Sequence, residues 1–292
     1  MSPTWTSGFA ISDDDTRLFY EVCADGPPLL LCDGLFCEGH VWKYFIPEFS
    51  ARNQLIHWHY PGHGKSDSPK STADLSIYRF SRDVCAVLEA AQVAQAVLVG
   101  HSLGVQVALE TAYRFPDKVA ALVLICGSPG QTVKTFHDSP VMESLLPLLG
   151  MGTRFVPRHL MSLWRLMPVK LISTMVKQSD EINRRLIDME DLKPYFEGMF
   201  KTDINIATRI LEKANHHDML PVLGEIHHPT LVIAGKRDRF TPSYRSRQMA
   251  DQLPNAEILV SEVGTHSLPL EQPDLVNLAV AKFLDALDSA QN

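Results

Sequence analysis

The sequence predicts an α/β protein: a mostly parallel, doubly wound sheet with an antiparallel hairpin at its N-terminal edge and a helical insertion late in the chain. Three observations carry this. Short apolar runs of four to six residues recur along the chain, as in PLLLC and ALVLI. Amphipathic stretches lie between them, and the alternation is suspended between Pro129 and Pro221 before it resumes. Runs so short, apolar on both faces, read as strands buried inside a parallel sheet. Parallel neighbours need crossover connections, which the amphipathic stretches supply as helices.

Taken in order, residues 8–12 and Arg17–Cys23 flank Asp13-Asp14-Asp15 and predict the edge hairpin. Pro28–Cys32 and LIHW at 55–58 are the third and fourth strands. Ile77, Phe80, Val84, Val87, Leu88 and Ala91 recur at spacings of three and four, which gives a helix with one buried stripe. AVLV at 96–99 is the fifth strand, followed by a helix over 105–114, and ALVLI at 121–125 is the sixth. After the gap come TLVIA at 230–234, EILVS at 257–261 and a last helix over 270–287, opening just after Pro269.

The gap reads as several short helices broken by Pro140, Pro147, Pro157, Pro168 and Pro194. It holds eight of the ten Met residues, with Phe155, Trp164, Phe196 and Phe200, and twelve basic against eleven acidic side chains. A near-neutral, Met-rich helical unit suits either a packed subdomain or a pliable lid over an apolar ligand. The expected division is therefore a core of 1–128 and 222–292 with a cap of 129–221.

At 292 residues the chain is long enough to bury a core without staples. Its 27 basic and 34 acidic residues, a net charge of -7, leave no basic stripe for nucleic acid. The five cysteines (23, 32, 37, 85 and 126) include no C-x-x-C pair and suit free thiols in a reducing compartment. Residues 1–16 have neither Lys nor Arg and no apolar h-region, so no signal peptide is expected. The charge-free run 90–109 is broken by Gln, Gly, His and Ser, which argues against a membrane span. The expectation is a cytoplasmic protein; its oligomeric state stays open.

Gly100-His101-Ser102-Leu103-Gly104 sits directly between the fifth strand and a helix. G-x-S-x-G alone is a common pentapeptide; a strand before it and a helix after it turn it into a nucleophile elbow. Such a turn strains the serine backbone and lifts the hydroxyl above the sheet, over a helix N-terminus that favours negative charge. A serine hydroxyl attacks poorly until a base takes its proton, so partners are required. Asp238 is the acid in the loop GKRDRFTP after the strand at 230–234, and His266 the histidine in GTHSLPLEQPD after the strand at 257–261.

With GHSLG at 100–104, those two loops and PGHGKS at 61–66, the chain resembles the α/β-hydrolase superfamily from hairpin to last helix. In that family the triad follows in the order serine, acid, histidine, each after a later strand. The resemblance implies a serine esterase fold with a helical cap after the sixth strand. It also implies an oxyanion hole from the backbone N–H groups of Leu35 and Leu103. The chain departs from the family in one place: Cys32-Asp33-Gly34-Leu35-Phe36 stands where members usually carry His-Gly. A carboxylate aimed at the oxyanion would oppose catalysis, so Asp33 is expected to face away and brace the loop through hydrogen bonds. Phe36 is a second candidate donor, and His40 and Trp42 are candidate pocket residues.

Other signals are set aside. Gly64-Lys65-Ser66 mimics the end of a phosphate-binding loop, but that pattern needs Gly where the chain has His59. The pairs His57/His59, His216/His217 and His227/His228 lack neighbours that would complete a zinc set, so they read as packed or solvated. His101 reads as a packed neighbour of the nucleophile and not as its base. No metal and no cofactor is implied.

The expected activity is hydrolysis of small to medium, largely apolar carboxylic esters, with water and a small molecule as the only partners. The same triad also serves C–C, lactone or amide cleavage and acyl transfer, and the motifs do not separate these. An epoxide hydrolase or dehalogenase of this fold normally uses an Asp nucleophile, which Ser102 argues against. From another class, the fold could act as a ligand receptor that closes its cap without turnover.

Overall fold

The computed structural model describes residues 4–131 and 182–291. Eight strands form one sheet among them: β1 (Trp5–Ile11), β2 (Arg17–Cys23), β3 (Pro28–Cys32), β4 (Gln54–Trp58), β5 (Ala96–His101), β6 (Val119–Ile125), β7 (Thr230–Gly235) and β8 (Ala256–Ser261). Their order across the sheet is β1-β2-β4-β3-β5-β6-β7-β8. β1 pairs with β2, and β2 with β4, in antiparallel fashion; every other neighbour is parallel.

This order sets the site. From β3 the chain runs outward to β4 and then returns to β5 on the other side of β3. Connections leaving the ends of β3 and β5 therefore diverge and open a crevice at the switch point, where ligands bind in open α/β sheets. Cys32 at the end of β3 is in register with Gly100, so the loops that follow, at Asp33 and at Ser102, start side by side.

Eight helices are described: α1 (Phe45–Phe49), α2 (Ile77–Ala90), α3 (Leu103–Arg114), α4 (Lys193–Lys201), α5 (Ile204–His216), α6 (Ser243–Gln252), α7 (Leu268–Glu271) and α8 (Pro273–Gln291). Alternate strand residues feed two cores. Leu30, Ile56, Leu98, Leu122 and Val232 pack with α2, α3 and α6 on one face. Leu29, Leu31, Leu55, Val99 and Ile233 pack with Trp42, Phe45, Phe49 and α8 on the other. Both faces are covered, which is why the strand runs are apolar throughout and lack the alternation of a half-exposed sheet.

One expected element differs. The helix anticipated over 270–287 is two helices, since α7 ends at Glu271 and α8 opens at Pro273. A proline disfavours the helical conformation in the residue before it, and Gln272 adopts φ -136°.

Part of the segment expected as a cap, 132–181, lies outside the described residues, and with it Pro140, Pro147, Pro157, Pro168 and five of the eight Met. Its described remainder holds α4 and α5. α5 lays Ile206, Ile210 and Ala214 into the first core cluster. Around α4, Leu192 and Phe196 form a separate small cluster with Ile182, Ile187 and Leu270. The two sides of the segment meet where it leaves the core: Gly130 and Asp218 form an antiparallel bridge. Gln131 N–H donates to the His217 carbonyl at 3.0 Å, and Met219 N–H to that of Pro129 at 2.8 Å. No helix among the described residues is long and apolar enough to cross a membrane.

Candidate active site

Ser102 links β5 to α3 with φ 56° and ψ -114°, a left-handed backbone that a non-glycine residue adopts only under constraint. The constraint comes from close packing of the elbow. A Cβ at Gly100 would stand 2.5 Å from the Gly104 carbonyl oxygen, and a Cβ at Gly104 would stand 2.0 Å from that of Cys32. Only glycine lets α3 approach the end of β3 this closely. The Ser102 N–H is tied to the Ile125 carbonyl of β6 at 3.1 Å.

His266 Nε2 lies 3.0 Å from Ser102 Oγ, and His266 Nδ1 lies 2.9 Å from Asp238 Oδ2. Asp238 is buried after β7, and its own loop meets both of its oxygens. Oδ1 accepts from the N–H groups of Phe240 and Thr241 at 2.8 Å each, and Oδ2 from the Thr241 hydroxyl at 2.7 Å. The Phe240 ring stacks on the imidazole of His266, with centroids 5.0 Å apart. On the other side, buried Glu271 accepts from Thr265 N–H at 2.7 Å and from its hydroxyl at 2.6 Å, which fixes the residue before His266. Sequence reasoning missed Thr241 and Glu271. Their signal was present as polar residues three after Asp238 and five after His266, inside loops already singled out.

His101 packs its ring against that of His266, with centroids 5.1 Å apart, but makes no hydrogen bond to Ser102 Oγ or to Asp238. It is buried, and its Nε2 lies 3.0 Å from the His266 carbonyl oxygen. Burial pushes its imidazole down to about 3, so it stays neutral and donates that N–H to steady the His266 backbone. His59 and His63 are likewise driven down to about 4 by burial. His59 Nδ1 accepts from Lys65 N–H at 2.9 Å, as a neutral ring can.

The loop after β3 carries Leu35 and runs against the elbow. A Cβ on Gly34 would lie 3.1 Å from Ser102 Cβ, so this backbone runs closely beside Ser102. Leu103 opens α3 directly after Ser102. Among the described residues, no acceptor is bonded to the N–H of Leu35 or of Leu103. Asp33 is buried and turned to other partners. Oδ1 accepts from the Trp42 indole at 2.6 Å, and Oδ2 from Gly39 N–H at 2.8 Å and from His57 Nε2 at 2.9 Å. Its backbone carbonyl accepts from the Tyr60 hydroxyl at 2.8 Å. Trp42 is fully buried beneath the loop. Phe36, with φ 68°, and His40 instead face Tyr195 of α4, at centroid distances of 6.3 and 5.6 Å. Asp191, just before α4, accepts from Tyr44 at 2.8 Å and pairs with Lys43, which pins that helix to the same loop region.

A cavity of about 1140 Å³ opens behind Asp238, lined by Arg185, Lys236, Arg237 and Thr265 among others, with neither Ser102 nor His266 on its wall. Among the described residues, no group of three or more His, Cys, Asp or Glu could hold a metal ion.

The strand order, the elbow and the histidine and acid on successive later strands are the layout of one fold family, and its model, the alpha/beta hydrolase fold, matches residues 27–273. The chain belongs to that family. Among its relatives is a putative carbamate hydrolase, RutD, of Azorhizobium caulinodans, 27% identical over 277 residues that span 94% of this chain and 97% of that protein. A pimeloyl-[acyl-carrier protein] methyl ester esterase of Methylococcus capsulatus is 29% identical across 77% of this chain and 82% of its own. The enol-lactonase of Burkholderia xenovorans LB400 superposes with a TM-score of 0.75 at 20% identity, over 95% of this chain and 100% of that one. At that identity the last likeness speaks for the fold alone.

Proposed function

We propose that the protein is a serine hydrolase that cleaves carboxylic esters of small to medium, largely apolar substrates through an acyl-enzyme on Ser102. The single observation that carries this is the continuous chain from Ser102 Oγ to His266 Nε2 and from His266 Nδ1 to Asp238 Oδ2, at 3.0 and 2.9 Å. His266 takes the hydroxyl proton as Ser102 attacks the ester carbonyl, then passes it to the departing alkoxide. Asp238 holds the imidazole in the tautomer that leaves Nε2 free to accept, and it stabilises the imidazolium formed in the transition state. The tetrahedral oxyanion rests on the N–H groups of Leu35 and Leu103, two donors placed before the charge develops. Water, activated by His266, then releases the acid.

Residues 129–221 act in this reading as a cap over a core of 1–128 and 222–292. Phe36, which packs on Tyr195, follows Leu35 in the loop after β3, and the Phe240 ring stacks on His266; aromatic groups beside the proposed donor and base are in keeping with an apolar acyl group. An intracellular, cytoplasmic setting fits the five cysteines, all of which are free thiols.

A fluorophosphonate probe is expected to label Ser102, and Ser102→Ala to lower p-nitrophenyl ester turnover by about 10⁶-fold with an unchanged far-UV circular dichroism spectrum. Retained turnover in that variant overturns the assignment. A panel of p-nitrophenyl esters of rising chain length then sizes the pocket.

A further inference from the structure

The loop from Asp33 to His40 is an unfavourable piece of backbone. Phe36 and Glu38 take left-handed φ values of 68° and 42°, which cost a residue with a Cβ, beside Gly39 at 84°, which glycine adopts freely. Such a run persists only where its surroundings over-determine it. The strongest restraint on it is the Asp33 carboxylate, which reaches forward to Gly39 N–H and the Trp42 indole and so closes the loop on itself.

That carboxylate is 3% exposed, and a buried anion needs a partner. The partner comes from β4. His57 is 2% exposed and lies between two acids, with Nε2 at 2.9 Å from Asp33 Oδ2 and Nδ1 at 3.4 Å from Glu21 Oε1 of β2. A ring with an acidic oxygen at each nitrogen donates from both, and only imidazolium can do so. Gly39 packs on the same ring: a Cβ there would stand 2.8 Å from His57 Cε1. The loop thus closes around His57 as well as around Asp33.

We infer that Glu21, His57 and Asp33 form a charged relay that fixes the Asp33–His40 loop and with it the Leu35 N–H, and that His57 is a positioning residue for oxyanion stabilisation. The inference rests on the ester-hydrolase reading above. Titration follows from the same geometry. Burial by itself opposes the charge on His57, but Asp33 and Glu21 outweigh it and hold the imidazole up at about 9. Beyond Glu21 and Asp33, the ionisable groups around the relay are His59, whose ring centroid is 5.1 Å from that of His57, Lys65, and on the Asp33 side His40, His63, Tyr60 and the thiols of Cys32 and Cys37. Burial drives His59 and His63 down to about 4 and lowers His40, while it raises Cys32 to about 12 and pushes Cys37 and Tyr60 well above their ordinary values, so the alkaline response belongs to His57. As pH rises through about 9, His57 loses its proton, one of the two acids loses its donor, and the loop loses its anchor.

The test is the pH profile of kcat and KM for a p-nitrophenyl ester, between about pH 6 and pH 10, in wild type and His57→Gln. Wild type is expected to lose kcat, at little change in KM, as pH rises through about 9. His57→Gln is expected to fall about a hundredfold in kcat at neutral pH, as when one oxyanion donor is misplaced, and to lack that alkaline limb. A variant that keeps the wild-type kcat and limb overturns the inference. So does one that loses kcat and KM together while the limb persists, because that is a general structural defect. If His57→Gln does not fold, Glu21→Gln decides: removing one acid should move the limb to lower pH, and an unmoved limb overturns the relay. Fluorophosphonate labelling of wild-type Ser102 separates the two levels, since failure to label overturns the hydrolase reading itself.

Discussion

The loop after β7 and the loop after β3 each bury an aspartate at a strand end near Ser102, yet the donors that satisfy the two carboxylates differ in kind. Asp238 takes three of its four hydrogen bonds from Phe240 and Thr241, two and three residues further along its own loop. Asp33 takes two bonds from Gly39 and Trp42 and a third from His57 on another strand, 24 residues away. The first anchor is made mostly within its own loop, out of neutral amides and one hydroxyl, with His266 supplying the fourth bond. The second needs the sheet assembled and a proton held on an imidazole. One fold therefore secures two halves of a site by a local device that ignores alkaline pH and by a long-range device that does not.

The sign of that dependence is fixed by the direction of the shifts. His57 is held up at about 9, above its ordinary value, so its contribution is complete below about 6.5 and is lost as pH rises through about 9. Asp33 is shifted the other way: burial raises it, but His57 and the Trp42 indole overcome this, and its carboxyl lies below the ordinary range. Its share of the pair persists down to acid pH and fails only when the carboxyl is protonated.

Substitutions break the comparison at different strengths. Asp238→Asn leaves the loop shape available but favours the wrong imidazole tautomer, and should lower kcat by about 10⁴-fold with little loss of stability. Steady-state kinetics beside a urea melt checks this. Asp33→Asn should act in the opposite sense, with a smaller loss of rate and a larger loss of fold. Removing one member of a buried ion pair costs about 3–5 kcal/mol, which the urea midpoint reports, while kcat falls by about a hundredfold. Equal stability losses in the two Asn variants would mean that the anchors do not differ as described. Thr241→Val is the mildest. It deletes the hydroxyl bond to the Asp238 carboxylate, worth about 2 kcal/mol, and the longer 3.3 Å contact of that hydroxyl with His266 Nδ1, and should lower kcat less than either Asn variant in the same assay.

How much of this was legible in the sequence divides along the same line. β2 (Arg17–Cys23) and β3 (Pro28–Cys32) are as read, and β4 to β8 differ from their apolar runs by one or two residues at the ends, because strands inside a covered sheet have little polar alternation to blur them. The more exposed edge strand β1 starts at Trp5, three residues before its expected start. β6 starts at Val119 because Val119 and Ala120 extend the pairing beyond the central run. The order of Ser102, Asp238 and His266 behind β5, β7 and β8 was readable, and the structure brings His266 within hydrogen-bond distance of the other two. His57 was read as a packed histidine. Its meaning lies in Glu21 and Asp33, which are distant in sequence and become its neighbours only through the β2–β4 and β3–β4 pairings. Thr241 and Glu271 stood inside quoted loops, but nothing local to a polar side chain states which carboxylate or amide it will meet.

The bridge between Gly130 and Asp218 has a consequence for how this fold can vary. Because the chain leaves and re-enters the core at one bonded pair of residues, the stretch between them is closed at its own base. Closure entropy grows only logarithmically with loop length, about 0.6 kcal/mol for each doubling. Length changes between those two residues that leave α5 on the first core cluster are therefore cheap, and the eight-stranded sheet keeps its register through them.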